Sequence, residues 1–160
     1  MGLFDRKKPA ASARRRVVVL GIDGTPYTFI QRMVQEGRMP HLAKVIAGGT
    51  LLRMNSVHPT VSSVAWSSFM TGKNPAKHGI FGFVDREPAT MKVFIPTSQA
   101  MKSPTLWEIL SAAGKRVIVI NVPVTYPPRP VNGILIADFL APKLEKAVYP
   151  PALAAALQSW

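Results

Sequence analysis

Asp23 is the first residue along the chain whose type and position suit metal chemistry. It directly follows a continuous apolar run, Arg16–Ile22, which is typical of a strand buried on both faces of a parallel sheet. Ligand-binding groups of open α/β sheets collect at the carboxyl ends of the strands, and a carboxylate there is a hard oxygen ligand for a divalent cation. Asp23-Gly24 is also the composition of an ordinary turn, so both interpretations stay open at this point.

A hydroxyl cluster between Pro59 and Trp66 is the second place where chemistry is expected. Ser62 or Ser63 stands where a helix begins, ahead of an apolar segment. A hydroxyl in the first turn of a helix has backbone N–H groups and the positive end of the helix dipole beside it. This setting favours a bound phosphate and a nucleophilic oxygen. The alternative is that the serine simply caps the helix.

The supply of other catalytic side chains is small. The chain has 160 residues and no cysteine, which excludes a disulfide scaffold, a cysteine-ligated zinc site, an iron–sulfur cluster and thiol catalysis. No Asp-x-x-x-His pair is present. The aspartates and histidines from which a hard metal site would have to be built are Asp5, Asp23, Asp85, Asp138, His41, His58 and His78.

Positive charge is concentrated at the start of the chain. The formal net charge is +12, and residues 1–16 carry six basic side chains against Asp5 alone. We expect residues 1–15 to form a disordered basic arm and residues 16–160 to form the domain. A basic arm attracts nucleic acid or an anionic surface, but no motif for specific nucleic-acid binding is visible. No signal peptide or membrane span is recognised, so a cytoplasmic location is expected.

The elements that must position Asp23 and Ser62 alternate between strands and helices. This alternation predicts an α/β domain with a mostly parallel sheet and flanking helices. Ser103-Pro104 predicts a helix with Ser103 as its N-cap and Pro104 as its first residue. Strands are expected at Arg16–Ile22, Thr50–Met54, Met91–Ile95, Arg116–Asn121 and Gly133–Ala137. Further helices are expected to begin at Thr25-Pro26, Pro40, Ser62 and Pro150-Pro151.

Several sequence blocks, taken together, resemble the alkaline phosphatase superfamily. The resemblance is to its type I phosphodiesterase/nucleotide pyrophosphatase branch and to related bacterial phosphohydrolase- and phosphomutase-like proteins, and it covers residues 16–159. Each block alone is weak, but their order and spacing are similar to those of the family. The blocks are Val17–Gly24, Met39–Leu42, Pro59–Trp66, Thr71–Phe83, Leu106–Leu110 and Asn121–Pro128.

The resemblance implies an alkaline-phosphatase-like core and a metal-dependent phosphoester hydrolase acting on a small phosphomonoester or phosphodiester. Two divalent metal ions, usually zinc with manganese as the alternative, would flank the nucleophile. Asp23 would be a metal ligand. Ser62, four residues before Trp66, would be the metal-activated nucleophile that forms a phospho-enzyme intermediate, with Ser63 and Thr60 as less favoured neighbours.

Other parts of the resemblance set limits on this interpretation. The segment that contains Thr71, Gly72, His78 and Gly79 is interpreted as structural in the family. Ala65 stands where the nucleotide pyrophosphatase branch has an asparagine that contacts a phosphoryl oxygen, which argues against that substrate specificity.

The family's site also needs about six Asp and His ligands, most of them from the later half of the enzyme. We therefore expect this chain to be an N-terminal portion, truncated at its C-terminus, that carries half of a site and has little catalysis by itself. An incomplete core would leave a sheet edge and apolar surface open, which suits association into a homo-oligomer.

Two functions of other classes stay open. Leu20–Thr25 is similar to the first phosphate loop of actin-like and sugar-kinase ATPases, although no β-hairpin pattern follows it. The basic arm is compatible with a module that binds nucleic acid or an anionic surface.

Overall fold

The computed structural model describes residues 16–159, so the expected basic arm at 1–15 lies outside the described residues. The helices are α1 (Tyr27–Gln35), α2 (Pro40–Ala47), α3 (Ser62–Thr71), α4 (Pro75–His78), α5 (Leu106–Ala112), α6 (Leu144–Ala147) and α7 (Leu153–Gln158). The strands are β1 (Asp85–Arg86), β2 (Val93–Phe94), β3 (Val117–Val122), β4 (Gly133–Ala137) and β5 (Val148–Tyr149). The α/β class expected from the sequence is confirmed.

The larger sheet is mixed, so a mostly parallel sheet is not confirmed. Its strand order is β3-β4-β5, with β3 parallel to β4 and β4 antiparallel to β5. A parallel return needs a crossover of about a dozen residues or more. The connection between β4 and β5, residues 138–147 with the four-residue helix α6 at its end, is shorter than that, and the chain turns back antiparallel. β1 and β2 form a separate antiparallel pair.

Two predicted strands, Arg16–Ile22 and Thr50–Met54, do not form among residues 16–159. Their apolar side chains point into solvent: Leu20 is 86% exposed and Leu52 is 78% exposed. A strand that is apolar on both faces needs neighbouring strands and cover on both sides. Neither segment has such partners in the described part of the chain, and each remains irregular.

The hydrophobic core lies on one face of the larger sheet. Val117 and Val119 of β3 are buried, whereas Ile118 and Ile120, which point to the opposite face, are 70% and 60% exposed. This alternation follows from the two-residue period of a strand. Helix α5 packs on β3, and α3 packs on α5, so the core joins the sheet to the helix that begins at Ser62.

Helix α5 begins two residues later than the sequence predicts. Thr105, not Ser103, is its N-cap, and Glu108 completes a capping box by accepting from the Thr105 amide at 2.7 Å. The Ser103 hydroxyl instead donates to the carbonyl of Lys77 at 3.0 Å. The prediction of Ser103 as N-cap was wrong because the reciprocal Thr105–Glu108 bonds satisfy two amides at once.

No bilayer-spanning helix is found within residues 16–159, where the longest helix, α3, has 10 residues.

Candidate active site

Ser62 is the first residue of α3 and does not cap it. The N-cap residue is Val61, and no side chain accepts a hydrogen bond at this helix start within the described residues. The amides of Val64 and Ala65 both donate to the Val61 carbonyl, at 3.0 and 2.9 Å. The interpretation of the serine as a simple N-cap was therefore wrong. The Ser62 hydroxyl instead lies in the first turn of the helix, where the helix dipole favours an anion.

The three hydroxyls considered as nucleophiles differ in their access to solvent. Ser62 is half-buried. Ser63 is 1% exposed, and its Oγ has no hydrogen-bond partner in the described structure. Thr60 is exposed but precedes the helix. Ser62 alone combines access for a substrate with a place in the first helical turn.

The segment that leads to Asp23 lies against the same helix. Gly21 packs on the Trp66 indole so closely that a Cβ on Gly21 would come within 2.1 Å of Trp66 Cη2. Trp66 is one helical turn beyond Ser62, and residues four apart lie on one face of a helix. The missing side chain of Gly21 lets the indole lie at this distance, which brings the backbone two residues before Asp23 onto the helix that begins at Ser62.

Asp23 itself lies in a turn and is exposed to solvent. Gly24 has a φ of 64°, and the Thr25 hydroxyl donates to the Asp23 carbonyl at 3.2 Å. The turn expected from Asp23-Gly24 is thus present. It leaves the carboxylate outside the hydrogen bonds that build the turn, where it is accessible to a cation.

The buried side chain of His78 joins α4 to α3. It is fully buried, its Nδ1 accepts from the Ile80 amide at 3.1 Å, and its Nε2 lies 3.0 Å from the Ser68 hydroxyl. Because Nδ1 is an acceptor, the neutral ring carries its proton on Nε2 and donates to Ser68. Burial lowers the pKa of His78, which favours this neutral form. Both ring nitrogens are occupied, in agreement with a structural role.

The described residues do not by themselves build the two-metal centre that the resemblance implies. Within residues 16–159, no group of three or more His, Asp or Glu side chains is placed to hold a metal ion. His41 and His58 are exposed on other segments. Asp23 is thus a single accessible carboxylate, and it is not joined by further donors in this part of the chain.

Asp138 is a buried carboxylate whose role was not recognised in the sequence. It directly follows β4, is 3% exposed, and its Oδ2 accepts from the Val124 amide at 2.7 Å. Its own amide donates to the Thr125 hydroxyl at 3.2 Å. Burial raises the pKa of this carboxyl, although hydrogen bonds from nearby amides act in the opposite direction.

Asp138 holds the loop that follows β3. Val124 has a φ of 65°, a conformation that a β-branched residue rarely adopts, and its amide is the one bound by Asp138. The position of Asp138 directly after a predicted strand was the available signal, and it is the same signal that selected Asp23.

The comparison with protein families agrees with the sequence blocks. The model of the family described as type I phosphodiesterase / nucleotide pyrophosphatase matches residues 17–158. This match covers both Asp23 and Ser62. No solved structure matches the chain significantly.

Proposed function

Because the chain belongs to the type I phosphodiesterase / nucleotide pyrophosphatase family, we propose that it supplies the nucleophile of a phosphoester hydrolase. The observation that supports this most directly is the start of α3. There an accessible serine hydroxyl, Ser62, stands in an uncapped first turn that favours negative charge. Family membership implies phosphodiesterase- or pyrophosphatase-type hydrolysis in general, and Ser62 is the residue that we propose carries it.

The proposed reaction has two displacement steps. Ser62 Oγ attacks phosphorus, an O–P bond forms, and the bond to the leaving alcohol breaks opposite to it. The Ser62 proton passes to solvent, and the departing alkoxide takes up a proton. Water then attacks the same phosphorus, the bond from phosphorus to Ser62 Oγ breaks, and Oγ takes up a proton. A monoester substrate thus yields phosphate and a diester substrate yields a phosphomonoester. The N–H groups and dipole of the first turn of α3 lower the free energy of the negative charge that develops on the phosphoryl oxygens.

Asp23 is the proposed carboxylate ligand for a divalent metal ion at this site, with zinc or manganese as the candidates. A bound metal lowers the pKa of a hydroxyl and offsets phosphoryl charge. The chemistry of Asp23 fits such an ion, but one carboxylate is too few donors to hold it. The remaining donors would have to come from outside residues 16–159, and we propose that this chain is one part of a larger catalytic domain.

The ATPase alternative is not favoured by the structure. The phosphate loop of actin-like and sugar-kinase ATPases needs a β-hairpin after its aspartate, whereas helix α1 begins at Tyr27, four residues after Asp23.

The proposal is tested by assaying the complete protein with bis(4-nitrophenyl) phosphate and with 4-nitrophenyl phosphate, each with added zinc or manganese. We expect hydrolysis of at least one ester above the rate in buffer. The ratio of the two rates assigns the activity to diesters or to monoesters. If neither ester is hydrolysed with either metal, the proposed function is wrong.

A further inference from the structure

The chain enters β4 through Asn132-Gly133, a pair of residues that the proposed hydrolysis does not use. An asparagine side chain can cyclise onto the backbone nitrogen of the next residue. Glycine at that next position hinders the approach least, because it has no Cβ. Asn132 is the one asparagine of the sequence that precedes glycine. The others, Asn55, Asn74 and Asn121, precede serine, proline and valine.

The pairing of β3 with β4 requires the glycine of this pair. Val117 stands opposite Gly133 at the start of the parallel ladder. A Cβ on residue 133 would come within 1.9 Å of the Val117 carbonyl oxygen, and Gly133 has a φ of 147°, a value that other residue types rarely adopt. Any other side chain would force the two strands to move, so the sheet itself keeps a chemically labile pair at this position.

Hydrogen bonds restrain both residues of the pair in the folded chain. The Asn132 amide donates to Ser111 Oγ at 2.9 Å, and the side-chain Nδ2 of Asn132 donates to the Lys115 carbonyl at 3.1 Å. The Gly133 amide donates to the Val131 carbonyl at 2.9 Å. Asn132 is nevertheless exposed, so water reaches the residue directly once these bonds open.

We propose that Asn132 is a site of spontaneous deamidation, and that the hydrogen bonds at the start of β4 hold the reaction back in the folded chain. The Gly133 nitrogen attacks Asn132 Cγ, an N–C bond forms, and the bond from Cγ to Nδ2 breaks. Ammonia leaves with the proton that the Gly133 nitrogen loses. Water then opens the cyclic imide, giving aspartate by attack at Cγ or isoaspartate by attack at the main-chain carbonyl carbon of residue 132.

Both nitrogen atoms that take part in this reaction are engaged in the fold. The Gly133 nitrogen must lose the proton that it shares with Val131, and Nδ2 must leave the Lys115 carbonyl. The reaction therefore needs a local opening at the start of β4. This inference does not depend on the hydrolase function, because Asn132 and its partners have no part in the proposed reaction at Ser62.

Isoaspartate at position 132 would weaken the larger sheet. Its main chain runs through Cβ and Cγ, so a methylene group is added immediately before β4. The Asn132 carbonyl, which accepts from the Val117 amide at 2.9 Å, would become a carboxylate outside the peptide bond. The register that sets Val117 opposite Gly133 would then be displaced. Because β3 and β4 carry the core residues Val119 and Leu135, the displacement would also disturb the core.

The test compares deamidation of the full chain when it is folded and when it is unfolded in guanidinium chloride, both at pH 8 and 37 °C. Peptide mass spectrometry follows the conversion, and fragmentation assigns it to one asparagine. In the unfolded chain we expect Asn132 to convert faster than Asn55 and Asn121, whose following residues carry side chains. In the folded chain the conversion of Asn132 should be about tenfold slower or more, because it requires local opening. Asn132→Gln should abolish conversion at this position, since the longer side chain closes a less favourable ring.

Ser111→Ala tests one of the bonds that restrain Asn132. The Ser111 hydroxyl also donates to the Trp107 carbonyl of its own helix at 2.6 Å. Ser159→Ala is the matched control, because the Ser159 hydroxyl likewise donates to a carbonyl of the helix before it, that of Ala156 at 2.8 Å. We expect Ser111→Ala to raise the rate in the folded chain about threefold to tenfold, and Ser159→Ala to leave it unchanged.

Three results would overturn the inference. The unfolded chain would convert Asn132 no faster than Asn121, or the folded and unfolded chains would convert it at the same rate. The third result is deamidation at the parent rate by Ser111→Ala with the same unfolding midpoint as the parent. If Ser111→Ala is less stable than the parent, the comparison of the folded with the unfolded parent chain decides alone.

Discussion

At the residue scale, His78 and Asp138 are the buried titratable side chains among residues 16–159, and neither is placed to act on a substrate. His78 joins α3 to α4, and Asp138 holds the loop after β3. Buried polar groups cost free energy unless hydrogen bonds satisfy them. The hydrogen bonds of the His78 ring and of Asp138 Oδ2 give these residues structural roles, whereas Asp138 Oδ1 is buried without a hydrogen-bond partner in the described structure.

The pH dependence of stability should report on His78. Its folded-state pKa lies below the ordinary value of 6.5 because burial disfavours the charged ring. The unfolded state therefore binds more protons in the interval between the two pKa values, and the stabilisation present above pH 6.5 is lost as the pH falls toward the lowered value. Urea unfolding from pH 8 to pH 5 should show this loss. His78→Gln should unfold without that component, and an equal slope in both proteins would contradict the assignment.

Substitutions at Asp138 should separate its hydrogen bond from its charge. Asp138→Asn keeps an oxygen for the Val124 amide and removes a buried charge, so we expect the free energy of unfolding at pH 7 to be unchanged or higher. Asp138→Ala leaves that amide without a partner and should cost about 1–3 kcal/mol. Chemical denaturation of both variants measures this difference. If alanine is tolerated as well as asparagine, the carboxylate does not hold the loop.

At the element scale, the start of α3 and the segment before Asp23 depend on each other through Gly21 and Trp66. A Cβ on residue 21 would come within 2.1 Å of Trp66 Cη2, so any other residue type would force the indole or the segment to move. This contact joins a segment without secondary structure to a regular helix. The geometry of the candidate site therefore rests on a packing contact and not on strand hydrogen bonds.

Gly21→Ala should displace the segment from α3. We expect a loss of about 1–3 kcal/mol in the free energy of unfolding, as for other overpacked sites, together with a change in Trp66 fluorescence. In the complete protein the same substitution should lower phosphoesterase activity, because Asp23 moves with the segment. Gly48→Ala is the matched control, since its Cβ would meet nothing closer than 3.7 Å. Equal stability of the two variants would show that the Gly21 contact does not hold the segment.

Helices and strands were predictable from the sequence to different degrees. The helices beginning near Pro40 and Ser62 follow from local apolar periodicity and from proline at the helix start, and β4 was placed at Gly133–Ala137. The segments Arg16–Ile22 and Thr50–Met54 have the composition of strands, but strand formation also needs partners. That requirement is not local, so composition alone could not show that the described residues leave both segments unpaired.

At the scale of the whole molecule, the apolar surface is divided unevenly. One face of β3 closes the core, and its other face remains exposed together with the two unpaired segments.

The two candidate site residues were predictable from their places in the sequence, because Asp23 follows a strand-like run and Ser62 stands at a helix start. The sequence could supply those positions. The sequence could not show that Val61, and not Ser62, is the N-cap of α3, because cap geometry depends on the backbone of the preceding loop.

Hydrogen exchange should distinguish the paired strands from the unpaired segment before Asp23. Amide protons of β3 and β4 should be protected, whereas those of residues 17–22 should exchange at nearly unprotected rates, because the segment has no strand partner in the described structure. Protection of residues 17–22 that increases with protein concentration would contradict this picture and would indicate pairing between copies of the chain.

The isolated chain of 160 residues should bind metal poorly. No group of three His, Asp or Glu donors is assembled in residues 16–159, so we expect less than one zinc or manganese per chain after dialysis, and no turnover of bis(4-nitrophenyl) phosphate. Elemental analysis measures the number of metal ions per chain. A stoichiometric metal that Asp23→Ala removes would contradict this expectation and would show that two copies of the chain complete the site.

Whether Ser62 is the nucleophile of a phosphoester hydrolase is decided by the rates at which the complete protein and its Ser62→Ala variant hydrolyse bis(4-nitrophenyl) phosphate. Ser63→Ala is the control, because Ser63 is adjacent but buried. We expect Ser62→Ala to lower the rate by about a thousandfold or more, because the nucleophile is lost, and Ser63→Ala to retain it. Hydrolysis by Ser62→Ala at the parent rate would show that Ser62 is not the nucleophile.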